Sequence, residues 1–103
     1  MDVLDWLARW YEAQCDGNWE HAFGVSIDTI DNPGWSLKID LAGTDCDGRT
    51  LDPISYNYEH ETDWWQCWTE GNVFHGHGGP LHLRSLLENF RERATRIRWC
   101  YQP

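Results

Sequence analysis

Two alternating runs joined by a turn restrict the fold more than any other feature of this chain. Phe23, Val25 and Ile27 alternate with Ser26 and Asp28, while Trp35, Leu37, Ile39 and Leu41 alternate with Ser36, Lys38 and Asp40. A period of two sends successive side chains to opposite faces, so each run reads as a strand with one apolar and one polar face. Between them, Asn32-Pro33-Gly34 supplies a turn. Pro presets φ at the first central position, and Gly is expected to take a positive φ at the second. The pair predicts an antiparallel hairpin whose apolar face requires cover.

Helices at the two ends provide that cover. Asp2 is placed to cap a helix from about Val3 to Gln14, with Val3, Leu4, Trp6, Leu7, Trp10 and Tyr11 on a broad apolar stripe expected to lie on the sheet. Cys15-Asp16-Gly17 stops it, because Gly accepts the left-handed conformation of a helix end. A last helix is expected from about Leu81 to Arg98, burying Leu83, Leu86, Leu87, Phe90, Ala94 and Ile97. Between the hairpin and this helix, Ala42 to Asp52 reads as a polar loop. Ile54, Tyr56 and Tyr58 mark a third strand behind Pro53, and Trp64 to Glu70 a fourth. Gly71-Asn72 then turns the chain into Val73-Phe74-His75-Gly76-His77. The expected fold is α+β: a four- to five-stranded antiparallel meander with an N-terminal and a C-terminal helix packed on one face, forming one domain over residues 1–103.

Charge narrows the partners. The 17 acidic and 8 basic residues give a formal net charge of −9, concentrated in the first two thirds of the chain. Such a surface repels nucleic acid and anionic lipid and steers basic partners toward it. The N-terminal residues show neither a cationic region nor an apolar run of the signal-peptide kind, and no stretch is long and apolar enough to span a bilayer. Cys15, Cys46, Cys67 and Cys100 contain no C-x-x-C pair, so the chain reads as a cytoplasmic protein with reduced thiols.

Three constellations offer chemistry. Trp19-Glu20-His21 sets an acid and an imidazole beside an indole at the entrance to the first strand, either as an acid–base pair or as a brace for backbone groups. The brace is favoured, because no third group at a catalytic spacing supports the pair. His75, His77 and His82 invite a zinc reading with Cys67, but the spacing matches no recognised zinc signature. Asp45-Cys46-Asp47-Gly48 lacks the 12-residue pattern of a calcium loop. No metal, cofactor or catalytic residue is therefore assigned, and the chain is not read as an enzyme. The competing reading is a small metal-dependent or Glu/His acid–base enzyme. Its signature would be convergence of those groups in one pocket. An acidic homodimeric adaptor is a third reading.

Several of these residues also carry a resemblance. The run Trp6-Leu7-x-x-Trp10-Tyr11-x-x-Gln14-Cys15-Asp16-Gly17-x-Trp19-Glu20-His21, then Thr29-Ile30-Asp31-Asn32-Pro33-Gly34-Trp35 and Ile39-Asp40-Leu41, resembles the bacterial immunity protein 53 family. The likeness continues through Asp63-Trp64, Cys67, Phe74-x-Gly76-x-Gly78-Gly79-Pro80 and Leu83, Leu86 and Leu87. The tail from Arg96 to Pro103 departs from it, and Trp68 stands where a smaller or polar residue is usual. Such proteins are understood as antidotes encoded beside polymorphic toxins. The resemblance implies that this chain binds and neutralises a cognate toxin as a monomer or weak homodimer, a nuclease being a suitable partner because it needs a cationic surface for phosphates. The expected contact surface joins Asp28, Asp40, Asp45, Asp47, Glu59 and Glu61 to two indoles, Trp64 and Trp68, on the polar side of the sheet. The alternative for those indoles is burial beneath Trp99 and Tyr101 of the tail.

Overall fold

A computed structural model describes residues 1–95. Its elements are α1 (Val3–Gln14), α2 (Trp19–Ala22), β1 (Val25–Ile30), β2 (Gly34–Asp40), β3 (Ile54–Tyr56), β4 (Trp65–Glu70), β5 (Val73–Gly78) and α3 (Leu83–Thr95). The α+β class, with a five-stranded antiparallel sheet and a helix near each end, is as expected. The expectations for Arg96, Ile97, Arg98, Trp99, Cys100 and Tyr101 lie outside the described residues.

The strand order is β1-β2-β5-β4-β3, antiparallel throughout. It is not a sequential meander. The β1–β2 hairpin and the β3–β4–β5 meander meet at β2 and β5, where Leu37 lies opposite Gly76 and Ile39 opposite Phe74. This places the two strands with the most buried positions side by side in the interior of the sheet. Leu37, Ile39, Leu41, Cys67 and Phe74 are fully buried on the helix side. α3 crosses β2, β4 and β5 there and buries Leu86, Leu87 and Phe90.

α1 starts as expected, with the Asp2 carboxylate accepting from Leu4 N at 2.7 Å. Its apolar stripe lies chiefly against α3 instead of flat on the sheet. Trp6 and Trp10 meet Phe90 edge-on, with ring centroids 5.8 and 5.0 Å apart. Large indoles hold the α1 axis away from the strands, and Phe90 fills the space that results.

Five local expectations change. Trp19-Glu20-His21 forms the short helix α2, so β1 begins at Val25 instead of Phe23. Gly34 is the first residue of β2 and not a turn residue with positive φ; a Cβ there would strike the Gly78 carbonyl on β5. β3 stops at Tyr56 because Asn57 takes φ +53°, which leaves Tyr58 outside the ladder. β4 begins one residue later than expected, and α3 two residues later. The Gly71-Asn72 turn behaves as read, both residues at φ +62°.

Candidate functional site

The face of the sheet away from the helices is assembled by register. Residues directly opposite one another in an antiparallel ladder share a face. One row across the sheet therefore holds Asp28, Ser36, His77, Gln66 and Ser55. The next row holds Ser26, Lys38, His75 and Trp68, and a third holds Asp40, Val73 and Glu70.

Trp68, on β4, is the one indole in these rows. Its indole stacks on His75 at 5.2 Å and 9° and receives His77 edge-on at 5.3 Å and 88°. Partial burial, then the neighbouring His75 and Lys38, hold the His77 pKa below the usual imidazole value. A neutral ring suits an aromatic cluster better than an imidazolium beside a lysine.

The acids expected at the site occupy different surroundings. Asp28 is exposed on β1. Asp40 is half-buried, and its Oδ2 accepts from Gly24 N at 2.9 Å, tying β2 to the entrance of β1. Asp45 and Asp47 are exposed on the β2–β3 connection. Asp47 also clamps that loop, accepting from Gly43 N and Asn72 Nδ2 at 2.9 Å each. Those contacts, the Gly43 amide first, lower its pKa. Glu59 and Glu61 are exposed in the β3–β4 turn, at the opposite end of β4 from the Asp47 loop. Trp64 corrects the picture of two adjacent open indoles. It precedes β4, is only 7% exposed, lies edge-on to Tyr58 and accepts Gly79 N through its carbonyl. The partners of Trp68 are instead His75 and His77, for which the sequence suggests no role at this face.

The zinc grouping is dispersed. His75 and His77 lie on the open face, whereas Cys67 is fully buried on the other side. Burial pushes the Cys67 thiol up to about 12. His82 binds Asp63 through Nε2 at 2.6 Å and Ser85 through Nδ1 at 2.9 Å. Among the described residues, no group of three or more His, Cys, Asp or Glu is placed to hold a metal ion. The Asp63–His82–Ser85 chain has the order of a charge relay, but Ser85 lies in the first turn of α3, three residues after His82. The three side chains tie the β3–β4 loop to the start of that helix.

Glu20 and its neighbours act as a brace. The Glu20 carboxylate accepts from Asp16 N and Gly17 N at 3.0 and 2.9 Å, and Asp16 Oδ1 accepts from Asn18 N and Trp19 N. Trp19 Nε1 donates to Ala42 O at 2.7 Å, pinning α2 to the end of β2. Gly17 takes φ +93° between the helices, and His21 is exposed. Backbone amides lower the pKa of both acids: that of Trp19 first for Asp16, and Glu20's own first for Glu20. A carboxylate with a lowered folded-state pKa adds stability above its unfolded value, about 4, and loses that contribution as pH falls through the folded value. Urea midpoints are accordingly expected to decline below about pH 4. Glu20→Gln should make that decline shallower, and an unchanged profile would remove Glu20 from the brace.

Comparison with known proteins adds one match. No curated protein and no solved structure matches the chain significantly. The sequence profile of immunity protein 53 matches residues 4–95, which include all five strands, all of α3 and all but the first residue of α1. No helix among the described residues is long and apolar enough to cross a membrane. With its profile matched over nearly the whole length, the chain belongs to the immunity protein 53 family.

Proposed function

We propose that this protein neutralises a cognate bacterial toxin by binding it through the acidic, aromatic open face of the sheet, with no catalytic step or cofactor of its own. The family match over residues 4–95 carries the reading, and the geometry of the open face suggests how binding is achieved. A half-buried indole held between two imidazoles is a rigid anchor that loses little conformational freedom on contact. Glu70 lies two residues along β4 from it, Asp40 in the adjoining row on β2 and Asp28 at the β1 end of the face, while Asp45, Asp47, Glu59 and Glu61 extend the negative field toward the two ends of β4. A toxin with a cationic active surface, such as a nuclease, is complementary to that field. Tight occupancy is enough to block such a surface.

Trp68→Ala is expected to weaken binding by at least ~2 kcal/mol, roughly 30-fold. Asp28→Lys should act mainly through slower, less salt-sensitive association. Calorimetry and stopped-flow binding against the toxin domain encoded beside this gene, paired with a toxin-activity assay, read both effects. Asp28 is preferable to Asp40 for the charge test because Asp40 also holds Gly24. Undiminished affinity in both variants would move the contact off this face. Absence of binding to the correctly paired toxin would overturn the immunity reading itself.

A further inference from the structure

The edge of the sheet beside this face is open in a way that the anchor at Trp68 does not explain. Among the described residues β1 pairs only with β2, so its other side is an edge of the sheet. Asp40 N donates to Gly24 O, while Gly24 N turns to the Asp40 carboxylate, so both Gly24 backbone groups face β2. Alternation along an antiparallel ladder then turns Ser26, Asp28 and Ile30 toward β2 and directs the backbone N–H and C=O groups of Val25, Ile27 and Thr29 outward. Edges of this length are usually blunted by lysine, proline or a bulge, because they template pairing with another strand. β1 runs for six residues without lysine or proline. The opposite edge, β3, has three residues.

Beneath this edge lies an apolar groove. Leu4, Leu7, Ala8, Tyr11 and Val25 line about 290 Å³ between α1 and β1. Leu4 is 58% and Ile27 40% exposed, both unusually open for residues so close to the core. Around the groove and edge, Asp5, Glu12, Asp28 and Asp31 are exposed, against two bases, Arg9 on α1 and Lys38 opposite Ser26 on β2.

We propose that the β1 edge and the α1 groove take up one β-strand of the cognate toxin, a strand alternating apolar residues with Lys or Arg. The outward groups of Val25, Ile27 and Thr29 supply the main-chain ladder. Alternate apolar side chains of the incoming strand enter the groove. Its cationic side chains fall on the other face, where they continue the row that begins at Asp28. Charge selects this occupant over a second copy of the chain, since pairing two β1 edges would bring together two acidic rims on chains of net charge −9. The inference rests on the toxin-binding reading and specifies which element sets the register of the complex.

Amide hydrogen exchange of the wild-type protein, alone and with the toxin domain encoded beside its gene, tests it directly. The Val25, Ile27 and Thr29 amides are expected to exchange rapidly in the free protein and to slow at least tenfold in the complex. Ile27→Pro removes an outward donor without removing a β1–β2 ladder bond, and is expected to weaken binding at least tenfold while retaining a cooperative melt. Binding that leaves these amides fast overturns the edge assignment but leaves the immunity reading intact. Protection that appears without toxin and grows with protein concentration overturns it in favour of a second copy. No binding at all overturns the immunity reading, and this inference with it.

Discussion

Phe90→Ala is expected to destabilise the fold by ~3–5 kcal/mol, the range for truncating a fully buried aromatic side chain. The ring is fully buried and is the meeting point of three layers. Trp6 and Trp10 of α1 abut it at 5.8 and 5.0 Å, and Phe74 of β5 at 5.2 Å from below. Removing it leaves a cavity that two indoles cannot collapse into, because Trp10 is also held edge-on by Trp19. Edge-to-face contacts worth about 0.5–1.5 kcal/mol each beyond area burial disappear with it. Against a typical total stability of ~5–15 kcal/mol, the variant should be close to unfolding at 37 °C. The urea midpoint should fall with little change in slope. Phe90→Leu should recover about half of the loss by refilling the volume without the ring edges. A loss below ~1.5 kcal/mol for Phe90→Ala would mean that α1 is held by something other than this junction.

Period-reading identified the elements that Phe90 joins more readily than it identified the junction. The 3.6-residue stripes of α1 and α3 and the alternation of β1 and β2 are local patterns, legible because each side chain's face depends on its neighbours in the chain. The order of the strands is not local. Placing β5 against β2 requires pairing Leu37 with Gly76 and Ile39 with Phe74 across a separation of more than thirty residues, and no turn between them dictates it. α2 was missed because four residues are too few to show a period.

The surroundings of Trp68 were partly within reach. The two-residue Gly71-Asn72 turn places Glu70 opposite Val73, and counting back places Trp68 opposite His75 and Gln66 opposite His77. Weighing the histidines only for metal or capping roles leaves that cross-strand pairing with Trp68 unread. The burial of Trp64 was not legible, since it depends on Tyr58 and Gly79 approaching from separate loops.

Gly79→Ala is expected to be as damaging as a core truncation, though nothing apolar is lost. Gly79 is buried, and its N–H donates to Trp64 O at 2.8 Å. A Cβ added there would run into the carbonyl of Thr62, with that carbonyl's carbon only 2.7 Å away. Backbone cannot swing aside as a side-chain tip can, so residues 62–64 must move as a unit. Moving them strains the Gly79–Trp64 hydrogen bond, unseats the buried Trp64 indole and draws Asp63 away from His82. Overpacking typically costs ~1–3 kcal/mol, and the addition of a broken buried hydrogen bond places this variant at or above the top of that range. Gly24→Ala is the matched control. A Cβ there meets nothing within 4 Å, and its expected effect is within about 0.5 kcal/mol. Thermal melts of the two variants, with indole fluorescence to follow Trp64, separate the outcomes. A Gly79→Ala protein that melts with the wild type would show that the 62–64 segment yields easily. The acidic Glu59–Glu61 turn just ahead of it would then be an adaptable rim of the face proposed to bind the toxin instead of a preformed one.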